Sequence, residues 1–98
     1  MKVLAIGSLA GELTPAQQQE IMPREVPATL QLYLDGKIEQ HWFRADKPSV
    51  VFLMSSDSVD DAQATLSTLP LVEAGLMTFD LMPVGPLAPL GMLIQPPH

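Results

Sequence analysis

A strand, a helix and a second strand follow one another twice within 98 residues, and that repeat restricts the fold more than any other feature of the chain. In the second half, Val50–Met54 reads as an apolar strand and Ser58–Leu69 as an amphipathic helix. A break at Leu69-Pro70-Leu71 follows, then a last strand over Leu76–Met82. The first half repeats the plan with a strand at Lys2–Ile6, a loop at Gly7–Gly11, a helix opening at Thr14-Pro15 and a strand at Lys37–Arg44. Two β-α-β units in so short a chain suggest one small open sheet with both helices on the same face.

The first helix has a clear start, since Thr14 can serve as N-cap and Pro15 suits the first helical position. Pro23 and Pro27 each remove a backbone donor and crowd the preceding turn, so a break near Met22 is expected, with a second helical piece running to Leu34. In that piece Val26, Leu30, Tyr33 and Leu34 fall at helical spacing, and Asp35-Gly36 ends it. The strand Lys37–Arg44 alternates: Ile38, Gln40, Trp42 and Arg44 are expected on one face, Lys37, Glu39, His41 and Phe43 on the other. Ser58 caps the second helix, with Asp61 three residues on as a shortened capping box. The cluster Asp57, Asp60, Asp61 is explained by that cap and the helix dipole, and no calcium-loop pattern follows it, so no metal site is expected.

The first and third strands are apolar on both faces, whereas the second and fourth carry polar residues. Doubly apolar strands belong in the middle of a sheet, which predicts the antiparallel order 4-1-3-2. The expected fold is therefore α+β, a ferredoxin-like βαββαβ subunit spanning residues 1–83, with right-handed crossovers. Two helices cover only one face of such a sheet. The chain is 47% hydrophobic and 16% charged, so the other face is expected to be apolar and to pair with a second copy, closing two sheets into a dimeric α+β barrel. The segment 84–98 is Pro-rich yet carries Leu87, Leu90, Met92, Leu93 and Ile94, and is expected to pack on a neighbouring subunit.

Five basic against eleven acidic residues argue against nucleic acid and against an anionic membrane as partners. The absence of cysteine removes disulfides, thiolate catalysis and Cys-ligated metals. Met1-Lys2 and the apolar run after it faintly resemble a secretory leader, but Gly7-Ser8 interrupts the run and no small-residue cleavage site follows. A buried first strand and a cytoplasmic location are the expectation.

Arg44, the strand Val50–Met54, the segment Ser58-Val59-Asp60-Asp61-Ala62, Leu66, Thr68-Leu69-Pro70-Leu71 and the last strand together resemble the muconolactone isomerase family. The similarity covers about residues 36–83, and its motifs are structural rather than catalytic. It implies a dimeric α+β barrel of ferredoxin-like subunits, in some members assembled further into decamers. It also implies proton transfer on an unsaturated lactone during aromatic-compound breakdown, with neither metal nor organic cofactor.

Such chemistry needs a base near an acidic C–H and a donor for the developing enolate. His41 is the one internal histidine, and Glu39 two residues away is expected to orient it; the alternative is a solvated strand edge. Glu25 is the carboxylate base candidate if its segment of helix faces a pocket. Trp42 with Arg44 and Gln40 would suit a small apolar carboxylate or lactone, and Tyr33 could donate its phenolic hydrogen bond into a cavity between helix and sheet. The alternative for Trp42 is a core residue along which Arg44 reaches solvent, and for Tyr33 core packing with its hydroxyl at the surface is preferred. A non-catalytic dimeric barrel that binds a small apolar ligand, or serves in assembly, is the second reading.

Overall fold

A computed structural model of the chain describes residues 1–85, and the part of the Pro-rich tail beyond them lies outside the described residues. The elements are β1 (Lys2–Leu9), α1 (Pro15–Leu34), β2 (Ile38–Phe43), β3 (Ser49–Ser55), α2 (Val59–Leu66), the short α3 (Pro70–Glu73) and β4 (Met77–Val84). The four strands form one antiparallel sheet in the order β2-β3-β1-β4, as the distribution of apolar residues requires. The architecture is α+β and ferredoxin-like. No helix among the described residues is long and apolar enough to cross a membrane.

Alternation along β1 and β3 sorts the sheet into two faces. Val3, Ala5 and Gly7 pair with Met54, Phe52 and Val50 on the helix-covered face. There they meet Ala62 and Leu66 of α2, Leu69, and Ile38 of β2 to form the core. Burying each of the larger aliphatic side chains fully contributes about 1.5–3 kcal/mol. The opposite face carries Leu4 and Ile6 opposite Leu53 and Val51, all half-buried, with the more exposed Met82 beside Leu4 and Trp42 beside Val51. No element of the described residues covers that face, which is apolar across its centre.

In the second half α2 stops at Leu66 and Pro70 opens the short α3, where only a break is expected. Three features of the first half also differ from the sequence reading. β1 continues past Ile6 to Leu9, because Gly7 and Ser8 stay in register with both neighbouring strands and Gly7 takes no left-handed conformation. α1 is a single helix of 20 residues rather than two pieces. Pro23 and Pro27 both lie on its exposed side, four residues apart, where the carbonyls that lose their donors can be hydrated. Thr14 caps this helix through a full box, its hydroxyl accepting from Gln17 N–H at 3.1 Å while the Gln17 side chain accepts from Thr14 N–H at 2.9 Å.

The third difference lies in β2. Ile38 pairs with Met54, yet Gln40 pairs with Leu53 and His41 with Phe52, so the register shifts between Ile38 and Gln40. A bulge inserts an extra residue and reverses the facing of everything after it. Ile38 therefore shares the helix-covered face with His41 and Phe43 instead of lying with Gln40 and Trp42. Glu39 is bound by Lys2 (Nζ to Oε2, 2.5 Å) rather than set beside His41. The Ser58 cap forms as expected, accepting from Asp61 N–H at 3.0 Å, and Gly36 ends α1 with φ near +80°.

Candidate functional site

A pocket of about 340 Å³ opens between α1 and the β2–β3 end of the sheet. Its helical wall is Met22, Glu25, Val26, Thr29, Leu30 and Tyr33. These residues fall on one side of α1 because successive turns place i, i+3 and i+4 together. The floor is Val50 and Phe52 of β3 with Met77 and Phe79 of β4, and Leu69 and Leu71 close the inner end. His41 and Phe43 of β2 form the outer lip. The two phenyl rings of the floor lie 5.6 Å apart and tilted by 31°. The volume suits a small molecule, and the walls are almost entirely apolar.

Glu25 is the exception. Its residue is only 6% exposed, and its Oε2 has no hydrogen-bond partner. Burial raises its pKa above the ordinary carboxylate value, and the backbone N–H of Leu71 partly offsets that rise by favouring the ionised form. Such a carboxyl is expensive to leave unpaired, so its retention is the kind of local cost found where a group is held for chemistry. Thr29 and Tyr33 follow Glu25 at four-residue intervals along α1, which brings two hydroxyl-bearing side chains onto the same wall.

At the lip, Tyr33 meets the His41 ring edge to face, with centroids 5.3 Å apart and planes at 84°. The pairing of His41 with buried Phe52 directs it to the helix side. Trp42 also lines the pocket, where its strand passes between His41 and Phe43, although alternation turns its ring to the helix-free face. Four of the six residues singled out from the sequence thus gather here: Glu25, Tyr33, His41 and Trp42. The other two do not. Gln40 pairs across from Leu53 on the opposite face. The Arg44 guanidinium is engaged by Asp46 in the following turn, with Nε donating to Oδ1 at 2.8 Å and a second bond from Nη2 to Oδ2. That hydrogen bonding holds the Asp46 carboxyl below its ordinary pKa and raises that of Arg44.

Sequence reasoning passed over Thr29, Phe43, Phe52 and Phe79. The Glu25-Thr29-Tyr33 spacing was a usable signal for the first of these, whereas the phenylalanines are recognisable as a pocket floor only once the strands are paired.

No family model matches the sequence, and no curated protein matches it. Solved structures do. Muconolactone isomerase superposes with a TM-score of 0.72 at 20% identity, covering 89% of this chain and 93% of that one. The chain has a muconolactone isomerase-like fold. A second structure of this kind is the 5-chloro-2-hydroxyhydroquinone dehydrochlorinase of Burkholderia phenoliruptrix AC1100 in complex with 2,5-dihydroxybenzoquinone. It matches with a TM-score of 0.60 at 17% identity, over 87% of this chain and 94% of that one. The muconolactone isomerase-like fold thus spans nearly the whole described chain, including the first half, where the sequence resemblance was absent.

Proposed function

We propose that this protein is a cofactor-independent enzyme that moves a proton within a small hydrophobic carboxylate or lactone, in the manner of an isomerase of aromatic-compound catabolism. The observation that carries this reading is the buried Glu25 carboxyl, with one oxygen free, facing an apolar pocket of about 340 Å³. A carboxylate whose pKa is raised by burial is a stronger base when ionised than one in water. Glu25 takes a proton from the saturated α carbon of a β,γ-unsaturated carbonyl compound, breaking a C–H bond and forming its own O–H. It returns that proton to the γ carbon, so that the double bond moves and the enzyme is unchanged. The intermediate dienolate needs a donor at its oxygen, a role open to the Tyr33 hydroxyl or to His41 at the lip. The dehydrochlorinase of like fold holds an oxygenated six-membered ring, which supports a flat carbonyl-bearing ligand here as well.

The active form in this reading is a homodimer, or a larger assembly built from it, joined through the helix-free sheet face around Leu4, Ile6, Val51 and Leu53. The test is deuterium exchange followed by NMR with unsaturated lactones in D2O. Exchange at the carbons α and γ to the carbonyl is expected, with Glu25→Gln slower by about 10²–10⁴-fold. Lack of exchange with every lactone that fits, or equal rates in the variant, would remove the enzyme reading in favour of a binding protein.

A further inference from the structure

We propose that the pocket between α1 and the sheet selects uncharged ligands carrying a hydrogen-bonding oxygen and excludes the matching carboxylates. This rests on the reading of that pocket as the substrate site, and it narrows the substrate class to the neutral lactone or a related enone or phenol.

The argument is one of charge placement. The chain has five Lys and Arg residues, and none of them lines the pocket, whose one basic side chain is the His41 imidazole at the lip. Lys2 is paired with Glu39, and Arg44 with Asp46. Arg24 lies on the exposed side of α1, its Nε 3.5 Å from the carbonyl of Glu20. Lys37 borders a separate polar hollow with Asp57 and Asp61 at the other end of the sheet, and Lys47 is exposed in the β2–β3 turn. Residues 86–98 contain neither Lys nor Arg. A ligand carboxylate entering this space loses its hydration and meets no Lys or Arg to replace it. With Glu25 ionised it also meets a like charge. With Glu25 protonated it still lacks a permanent cation as partner. A net charge of −6 on the whole chain opposes its approach from a distance. A neutral carbonyl or phenol meets none of these costs, and Thr29, Tyr33 and His41 offer it hydrogen bonds.

The experiment uses the full chain at pH 7.5 and two probes of nearly equal shape: a 5-propyl butenolide and the 5-carboxymethyl butenolide, which is ionised at that pH. Affinities are read by titration calorimetry, without turnover. The neutral probe is expected to bind at least tenfold more tightly. In Glu25→Gln, checked for native fold by circular dichroism, the gap narrows because the carboxylate gains more than the neutral probe does. Equal or tighter binding of the carboxylate by the wild type overturns the proposal, as does binding of neither probe. A gap unaltered in Glu25→Gln overturns the assignment of Glu25 to the exclusion. Selective neutral binding without deuterium exchange would remove the enzyme reading and leave this inference standing. Tight carboxylate binding with exchange would do the reverse.

Discussion

The ring of Phe79 lies directly over Gly7: a Cβ on that glycine would sit 2.6 Å from the Cε1 of Phe79 and 2.9 Å from the Cγ2 of Val50. Gly7 and Phe79 are register partners across β1 and β4, so the missing side chain of one makes room for the ring that floors the pocket.

Gly7→Ala is accordingly expected to destabilise the protein by about 1–3 kcal/mol, the range for overpacking. Urea unfolding measures this. A variant as stable as the wild type would mean that Phe79 does not depend on the space above Gly7.

The buried Glu25 should leave a signature in stability against pH. Its folded-state pKa lies above the unfolded value, so the folded protein binds the extra proton between the two. Its contribution is most favourable below the ordinary carboxylate pKa and is lost as pH rises through the raised one. Glu25→Gln lacks this loss. Melting temperatures of both proteins across that window should diverge with rising pH, the variant gaining relative to the wild type. Parallel curves would contradict the placement of Glu25.

The contact between Tyr33 and His41 can be isolated by a double-mutant cycle with Tyr33→Leu and His41→Ala. Both residues are exposed, so a coupling near the low end of the aromatic-pair range, about 0.5 kcal/mol, is expected. If Tyr33 supplies the enolate donor, Tyr33→Phe slows proton exchange while leaving the melting temperature nearly unchanged. An unchanged exchange rate would pass that role to His41.

Leu53 lies at the centre of the helix-free face, opposite Leu4 and beside Gln40. Light scattering should find the wild type as a dimer or larger, and Leu53→Arg should shift it to monomer by burying an unpaired charge at the contact. A wild-type monomer at micromolar concentration would remove the barrel.

Much of the fold could be read directly from residue order. Thr14 and Ser58 mark helix starts because a side-chain oxygen must satisfy backbone donors there, and that need is local. The apolar runs Lys2–Ile6 and Val50–Met54 marked the central strands because both of their faces must be dry, which is again a property of each run by itself. Those two facts sufficed for the strand order. Of the site, Glu25, Tyr33, His41 and Trp42 were identifiable as chemistry-bearing types, but their convergence on one pocket was not.

What tertiary structure alone decided depends on neighbours distant in the chain. The bulge after Ile38 exists only relative to β3, yet it separates Glu39 from His41 and hands Glu39 to Lys2. Pro23 and Pro27 read locally as a break; the helix survives because packing holds its other side against the sheet and α3 while the prolines face water. The same continuity aims Glu25 inward. Local order specifies which groups a turn or strand must satisfy, whereas burial, the quantity that raises the pKa of Glu25, is a property of the assembled molecule.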